Sequence, residues 1–438
     1  MNIVTRDPYT GKVLDTFKSD TQEEALEKIR QARHAQQEWK RSLDTRIDYF
    51  REVIKPNFER KTEEIASIMT EEMGKPITQS ISEVKKSIKL LDYLMENARS
   101  IYSEEEIKTE ASRSYVRFDP LGTIMCIEPW NFPVWQVARA AFPAMMAGNG
   151  VVLKHASIVT GVSLKLQEIV DSHIFRSLIV EGKTATSLIK HVEGVAFTGS
   201  TPVGSGIAAE AGKEMKRIVM ELGGSDPFII LDSADLKSAA KAATIGRLQN
   251  NGQSCIASKR FLVHESVYDQ FKELTQDEFS KIVIGDPRKK ETYLGPLSSS
   301  EQKEFVEGQI KHLESRGRVA FIGEGEGNIV PPVLVELNEN YQEEIFGPVA
   351  VLRKFASKEE AVRIANETPY GLGTSIWGEK TDAEKMVGEI EAGMVYINSI
   401  VFSDPRLPFG GVKKSGLGRE LSKYGSREFT NMKTVWVN

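Results

Sequence analysis

Short apolar runs that alternate with longer polar or helical spans constrain the fold of this chain more than any other feature. Four such runs lie at residues 123–127, 151–153, 177–180 and 194–197. Short runs without alternation are typical of strands buried on both faces, and the intervening spans are long enough for crossover helices. We therefore predict a mainly parallel sheet covered by helices, which is an α/β fold. A second α/β region is expected from about residue 227 to about residue 408.

Amphipathic helices are predicted before this region. Thr21 and Glu24 have the spacing of a capping box at a helix start. The apolar residues that follow at helical spacing are Ala25, Ile29, Ala32 and Trp39. A second set recurs at intervals of three and four residues, namely Ile81, Val84, Ile88, Leu91 and Met95. Residues 107–110 and 114–118 break this pattern and predict an exposed hairpin, to which a last strand at 434–437 would return.

Composition excludes several classes of protein. A chain of 438 residues is too long for one compact core and predicts two or three domains. The net charge of −5, without a Lys/Arg block, argues against nucleic acid as a partner. Two cysteines cannot make a disulfide framework, and neither a signal peptide nor an apolar run of the ~18 residues that span a membrane is present. We expect a cytoplasmic protein without a membrane partner, and the six histidines lack metal-ligand spacing.

Cys255 and Glu221 are the candidate reactive pair. Cys255 lies at a glycine-containing turn, at 250–255, where a thiol can be an exposed nucleophile. Glu221 ends an apolar run, and partly apolar surroundings raise the pKa of a carboxyl toward the range of a general base. The alternative is a small buried thiol and a surface carboxylate, since a free cysteine is usually a core residue. Cys126, inside an apolar run, is expected to be such a core residue.

Six motifs in a fixed order accompany this pair. They are Pro-Trp-Asn-Phe-Pro at 129–133, Phe-Thr-Gly-Ser at 197–200, Glu-Leu-Gly-Gly at 221–224, Gly-Gln-Ser-Cys at 252–255, Glu-Ile-Phe-Gly-Pro at 344–348 and Pro-Phe-Gly-Gly at 408–411. Together they resemble the aldehyde dehydrogenase superfamily over nearly the whole chain. The runs at 153–157, 223–228 and 433–436 resemble most closely the NADP-linked succinate-semialdehyde dehydrogenases of that superfamily.

The resemblance implies three structural parts. A Rossmann-like cofactor domain would comprise residues 1–106 and 122–223, with 409–422 returning to it. An α/β catalytic domain would comprise residues 224–408. A small β-hairpin oligomerisation or bridging domain would comprise 107–121 and 423–438, and it implies a homodimer or homotetramer.

The same resemblance assigns the chemistry. Cys255 would attack the aldehyde, while the Asn131 amide and the Cys255 backbone N–H would form the oxyanion hole. Glu221 would activate water for deacylation. From the residues alone, Asn131 could equally be a turn residue, because Trp-Asn-Phe-Pro is good turn chemistry.

A dinucleotide site is implied at the turn after the 194–197 run. Gly199 and Ser200 open a predicted helix whose N-terminus favours a pyrophosphate, although a plain strand-to-helix turn would also explain them. The other implied cofactor residues are Trp130, Lys154, Ser157, Glu344 and Phe346. NADP is expected over NAD because NAD-specific relatives carry Glu at the position of Ser157, where a carboxylate would repel a 2′-phosphate. Lys154, together with His155, would add positive charge.

Arg139 and Ser403 are the candidate substrate residues. Relatives that act on succinate semialdehyde carry Arg and Ser at these positions, and a guanidinium suits a distal carboxylate. A second Arg common in these relatives is replaced here by Gln249, for which Arg406 could compensate. The alternative for Arg139 is a helix-surface cation paired with an acid. Alternatives for the whole chain are oxidation of another small aldehyde, such as a glyceraldehyde, or a non-catalytic binding role on the same fold.

The segment at 171–194 is several residues shorter than the family pattern. The usual Gly-Phe-Pro segment is missing, and residues 173–176 stand in its place. This segment is expected beside the adenine end of the cofactor site, so it bears on cofactor affinity.

Overall fold

The computed structural model describes residues 2–438. The first part of the chain contains β1 (Asn2–Arg6), β2 (Val13–Lys18), α1 (Gln22–Trp39), α2 (Leu43–Tyr49), α3 (Lys55–Arg60), α4 (Thr62–Met73), α5 (Ile77–Ile101), β3 (Glu105–Glu106) and β4 (Arg113–Pro120), with a π-helical turn at Phe50–Ile54. The two predicted helices are confirmed as α1 and α5. Thr21 and Glu24 form the reciprocal capping box at the start of α1. The antiparallel β1–β2 hairpin was not predicted, because most of its side chains are exposed and carry no apolar alternation.

The next part builds the first large sheet. It contains β5 (Thr123–Glu128), α6 (Trp135–Met146), β6 (Gly150–His155), α7 (Thr160–Val170), β7 (Phe175–Ser177), α8 (Gly182–Leu188), β8 (Gly194–Thr198), α9 (Thr201–Lys213) and β9 (Arg217–Glu221). Cys126 is fully buried in β5, as expected.

The third part builds the second large sheet. It contains β10 (Pro227–Ile230), α10 (Leu236–Leu248), β11 (Arg260–His264), α11 (Tyr268–Ser280), α12 (Ser300–Glu314), β12 (Arg318–Ile322), β13 (Val333–Glu336), β14 (Val349–Phe355), α13 (Lys358–Asn366), β15 (Gly373–Trp377), α14 (Lys380–Met386) and β16 (Met394–Ile397). The chain ends with β17 (Gly416–Leu417), α15 (Ser422–Ser426) and β18 (Thr430–Val437).

The sheets confirm the predicted α/β fold. Within residues 2–438, one sheet has the order β17-β9-β8-β5-β6-β7 and is parallel except where β17 meets β9. A second sheet has the order β12-β13-β14-β11-β10-β15-β16 and is parallel except where β12 meets β13. A small antiparallel sheet joins β18, β4 and β3, so the predicted return of the last strand to the arm is confirmed.

Two predicted strands lie elsewhere. The strand expected at 177–180 ends at Ser177, and the Ile179 backbone instead exchanges hydrogen bonds of 2.8 Å with Asp20. Its apolar side chains are buried by packing rather than by sheet pairing. The strand expected at 107–110 is replaced by β3, because the chain turns there and Thr109 bonds the Ser114 hydroxyl.

The first sheet brings three sequence motifs to one edge. Strands β5, β8 and β9 are parallel neighbours, and Thr198 at the end of β8 pairs with Glu221 at the end of β9. The turns that follow these strands therefore lie together at their carboxyl ends, where open α/β sheets bind ligands. Within residues 2–438, no helix is long and apolar enough to cross a membrane.

Candidate active site

Two cavities meet at Cys255. The larger has a volume of about 510 Å³ and is lined by residues that include Trp130, Asn131, Gly199, Ser200, Glu344 and Phe346. The smaller has a volume of about 60 Å³ and is lined by residues that include Lys86, Trp135, Arg139, Gln249, Ser403 and Phe409. Cys255 lines both cavities, so a ligand in one cavity and a ligand in the other could both contact this residue.

A strained turn presents Cys255. After α10 the chain passes through Asn250, Asn251 and Gly252, whose φ angles are 55°, 57° and 74°. A side chain at Gly252 would overlap the Gly347 carbonyl, so only glycine allows this close approach. The thiol that follows is half-buried, and burial raises its pKa to about 12 despite the nearby cation of Arg139. The geometry presents a thiol that needs deprotonation before it can attack a carbonyl.

Asn131 lies against the Cys255 loop. Its side-chain Nδ2 donates to the Gln253 carbonyl at 3.1 Å, and Asn250 Nδ2 donates to the Asn131 carbonyl at 2.6 Å. The sequence prediction missed Asn250, which locks the two turns together. The signal for it was the Asn-Asn-Gly run, because asparagine tolerates the left-handed conformation.

Glu83 and His155 hold the turn that carries Asn131. Glu83 Oε1 accepts from the backbone N–H groups of Val134 and Trp135, both at 2.9 Å, at the start of α6. His155 Nε2 lies 2.8 Å from the Pro133 carbonyl, and its Nδ1 lies 3.1 Å from the Glu128 carbonyl, so the ring joins this turn to the end of β5. Neither residue was identified from the sequence in this role.

The expectation that His155 supplies positive charge to a phosphate is wrong. Its side chain is buried, and burial lowers its pKa to about 4, so the ring is neutral at physiological pH. Both ring nitrogens are occupied by neighbouring backbone groups.

Glu221 lies at the end of β9 but lines neither cavity. It is buried, and its Oε1 lies so close to Gly410 that a side chain at position 410 would overlap it. No hydrogen-bond donor among the described residues satisfies its carboxyl oxygens. Burial, together with repulsion from Glu420, raises its pKa well above its ordinary value, and Arg139 opposes that rise. The structure thus brings Cys255 and Asn131 together and turns the Glu221 carboxyl toward the 409–420 segment.

The larger cavity fits a dinucleotide. Gly199, Ser200 and the first residues of α9 line it, and Ser200 caps the helix without using its side chain, so the first N–H groups of α9 remain free of a side-chain cap. A side chain at Gly223 would overlap the Glu344 carboxylate, so glycine at this position lets Glu344 lie close to the backbone.

The remaining cofactor candidates divide between the cavity and its surroundings. The rings of Trp130 and Phe346 contact edge to face, with 5.7 Å between centroids, and Glu344 Oε1 accepts from the Gly224 N–H at 3.0 Å. Lys154, in β6, and Ser157, just after it, are half-buried and do not line this cavity. Burial lowers the pKa of Lys154.

Lys259 connects the two sides of the site and was not identified from the sequence. Its Nζ donates to the carbonyls of Ser254, at 3.0 Å, and Cys255, at 2.5 Å. The same Nζ lies 3.9 Å from Glu344 Oε1. A fully buried ammonium that makes these contacts fixes the Cys255 loop relative to Glu344.

Both substrate candidates line the smaller cavity. Arg139 is buried in α6, with its Nε 2.8 Å from Glu420 Oε2 and its guanidinium 4.3 Å from the Phe409 ring centre. Ser403 Oγ accepts from Trp135 Nε1 at 3.0 Å. The expectation that Arg406 compensates for Gln249 is wrong, because Arg406 is exposed, pairs with Asp404 at 2.7 Å and does not line the cavity. Lys86 lines this cavity and was missed, although it belongs to the predicted helix α5.

Comparisons with known proteins agree with this arrangement. The Aldehyde dehydrogenase family profile matches residues 1–435. Succinate-semialdehyde dehydrogenase [NADP(+)] 1 of Mycobacterium ulcerans is 39% identical over 457 residues, with 100% of both chains covered. An aldehyde dehydrogenase of Paenarthrobacter nicotinovorans is 41% identical over 459 residues, also with 100% of both chains covered. The crystal structure of succinic semialdehyde dehydrogenase from Streptococcus pyogenes with NADP+ has a TM-score of 0.96 at 36% identity, covering 99% of each chain. This chain belongs to the aldehyde dehydrogenase family.

Proposed function

We propose that this enzyme oxidises succinate semialdehyde to succinate and uses NADP in preference to NAD. One observation carries the proposal: Cys255 lies between a cavity that contains a helix N-terminus and a cavity whose wall contains cations. Relatives named as NADP(+)-dependent succinate-semialdehyde dehydrogenases, at 39% identity over the whole chain, support the choice of substrate and cofactor.

Cys255 begins the reaction. Its sulfur adds to the aldehyde carbon, the C=O π bond becomes an alkoxide, and the thiol proton passes to solvent or to a base. The Asn131 amide and the Cys255 N–H stabilise the alkoxide of this thiohemiacetal. The lowering influence of Arg139 on the thiol pKa favours the same step.

The cofactor residues support the second step. Gly199, Ser200, Trp130, Glu344 and Phe346 would hold the dinucleotide in the larger cavity, while Lys154 and Ser157 would contact its adenosine ribose. When bound, the nicotinamide would supply the hydride acceptor for this oxidation, and Cys255 would then carry the acyl group as a thioester. Ser157 accommodates a 2′-phosphate because it brings no negative charge.

Glu221 completes the cycle as general base. It takes a proton from water, whose oxygen adds to the thioester carbon and releases succinate and the Cys255 thiol. A pKa raised by burial suits a base that works near neutrality. For this step the carboxyl turns from Gly410 toward Cys255, and the absence of hydrogen bonds to its oxygens among the described residues leaves it able to turn.

The arm sheet supports a second part of the proposal, which is a homodimer or homotetramer. Apolar side chains on β18 and beside β3 are exposed, namely Ile107, Met432, Trp436 and Val437. Exposed apolar clusters of this kind mark contact surfaces between chains. Sedimentation of the purified protein measures the assembly, and a monomer at micromolar concentration would reject this part.

An aldehyde panel tests the enzymatic proposal. Initial rates of cofactor reduction with succinate semialdehyde, glyceraldehyde and butanal, each with NADP and NAD, give kcat/KM for every pair. We expect the highest value for succinate semialdehyde with NADP. A higher value for glyceraldehyde or butanal would reject the substrate, and a higher value with NAD would reject the cofactor preference.

A further inference from the structure

Lys86 is a cation in the wall of the smaller cavity that has no acid partner. Among residues 2–438, no carboxylate oxygen lies within salt-bridge distance of its Nζ. The two acids whose charge raises the pKa of Lys86 are engaged elsewhere. Glu83 pairs with Lys75 and accepts from the start of α6, while Asp404 pairs with Arg406. A half-buried ammonium in this position lacks a counter-charge that a ligand can supply.

Arg139, the other cation of this cavity, differs in that respect. Its guanidinium pairs with Glu420 and lies over Phe409. Burial by itself lowers the pKa of Arg139, but Glu420 and Glu221 hold that pKa above its ordinary value. A substrate carboxylate at Arg139 would have to share the guanidinium with Glu420, an acid buried at 5% exposure. Arg139 thus already has an acid partner in the protein, although its Nη2 makes no hydrogen bond among the described residues.

The surroundings of Lys86 are arranged to donate hydrogen bonds. Its Nζ donates to Ser403 Oγ at 2.6 Å and lies 4.4 Å from the Trp135 ring centre. Ser403 Oγ also accepts from Trp135 Nε1, so both of its lone pairs are used and its hydroxyl hydrogen is left to donate. An ammonium has two further N–H groups, so Lys86 and Ser403 together offer donors to a carboxylate.

We propose that Lys86, oriented by Ser403, is the specificity residue that binds the far carboxylate of the aldehyde substrate. This inference rests on the proposed function and names the residue that would select a short aldehyde with a terminal carboxylate. Lys86 would have the carboxylate-binding role that the sequence analysis gave to Arg139. It would also supply the positive charge that is missing at position 249, where relatives carry Arg and this chain carries Gln. An uncharged aldehyde of the same length would gain nothing from it.

The proposal predicts that binding of the charged aldehyde depends on pH, because it requires the protonated form of Lys86. Burial lowers the pKa of Lys86 to about 7, with Arg139 and Lys75 lowering it further and Glu83 and Asp404 raising it. In the free enzyme the side chain therefore loses its proton as the pH rises above about 7. A bound carboxylate favours the charged form, so binding of the charged aldehyde weakens at high pH.

The Lys86→Met variant tests the proposal, since methionine keeps an unbranched stem and removes the charge. The measured quantity is the ratio of kcat/KM for succinate semialdehyde to kcat/KM for butanal. We expect this ratio to fall at least about tenfold, mainly through KM for the charged substrate. Lys89→Met is the matched control on the exposed face of α5, and its ratio should equal that of the wild type. Equal losses on both aldehydes, or an unchanged ratio, would overturn the proposal.

The pH dependence of the wild-type enzyme is a second readout, and the outcome that would overturn the proposal is measured on the wild type alone. Because kcat/KM reports ionisations of the free enzyme, the same ratio should fall as the pH rises above about 7, and it should be flat in Lys86→Met. The ratio removes the titrations of Cys255 and Glu221, which both substrates share. A wild-type ratio independent of pH between about 6 and 9 would overturn the assignment of Lys86.

The outcomes separate the inference from the proposed function. A wild-type enzyme that prefers butanal rejects succinate semialdehyde as substrate, and the role of Lys86 falls with it. A wild-type preference for succinate semialdehyde that persists in Lys86→Met rejects only the role of Lys86.

Discussion

The two cavities that meet at Cys255 are built in different ways. The wall of the larger one includes contiguous turns at the ends of strands, at 129–131, 198–202 and 222–223, together with side chains from α12 and from 343–346. The wall of the smaller one includes polar side chains from separate segments, among them Lys86, Arg139 and Ser403. A site built from backbone at strand ends is recognisable as a local motif, whereas a site built from distant side chains is not.

The charges of the two cavities differ as well. Glu344 in the larger cavity faces Lys259, and Arg139 in the smaller cavity faces Glu420. Lys86 stands apart because no acid of residues 2–438 pairs with it. On our proposal, the site is selective for an aldehyde with a distal carboxylate through Lys86, because the substrate would supply the negative charge that Lys86 lacks.

Cys255→Ala should have the largest effect, because this residue belongs to both cavities. We expect steady-state cofactor reduction to fall by about a thousandfold or more, since the covalent step is lost. NADP should still raise the melting temperature, because the larger cavity is intact. Cys126→Ala is the control, with a buried thiol in β5 outside both cavities, and it should retain turnover. Turnover near the wild-type rate in Cys255→Ala would refute the nucleophile.

Glu221→Gln should slow turnover by about 10²–10⁴-fold, the usual contribution of a general base. A single-turnover burst of reduced cofactor should survive, because the base acts after the thioester forms. The raised pKa of Glu221 means that wild-type deacylation accelerates as the pH rises and the carboxyl loses its proton. Glu214→Gln, an exposed acid between α9 and β9, is the control. Loss of the burst would place Glu221 before the thioester.

Arg139→Met tests whether the two cations of the smaller cavity differ as described. Removing the guanidinium leaves Glu420 buried without its partner, which costs roughly 3–5 kcal/mol of unfolding free energy. Urea unfolding measures this loss, and adding Glu420→Gln should recover part of it. Activity toward succinate semialdehyde and butanal should fall alike. A selective loss with succinate semialdehyde would return the carboxylate-binding role to Arg139.

Ser157→Glu should have the smallest of these effects and should be confined to the cofactor side. A carboxylate there repels a 2′-phosphate and can accept from a ribose hydroxyl, and one charge-assisted contact is worth roughly 1.5–3 kcal/mol. The ratio of kcat/KM with NADP to that with NAD should therefore fall by more than about tenfold. Ser157→Ala, which adds no charge, should change the ratio much less. The aldehyde ratio used for Lys86 should stay constant, and a change in it would show that the two cavities are coupled.

Motifs and periodicity predicted the parts of the structure that depend on neighbouring residues. The capping box of α1, the apolar stripe of α5 and the parallel strands around β5 and β8 all follow from short-range patterns. The turns that carry Asn131, Gly199 and Cys255 were identified by the resemblance of their motifs to those of the aldehyde dehydrogenase family. The 177–180 run was predicted as a strand since burial by packing and burial in a sheet give the same apolar pattern.

Pairing between distant side chains was decided only by the tertiary structure. Nothing local to Arg139 shows that Glu420 neutralises it, and nothing local to Lys86 shows that Glu83 and Asp404 are engaged elsewhere. The neutral state of His155 likewise follows from burial beneath a turn formed by other residues. By itself the sequence predicted the α/β fold from local patterns, and its motifs, through the family resemblance, predicted Cys255 as the nucleophile. Which charges remain available to a substrate depends on contacts between segments far apart in the chain, and only the folded molecule brings those together.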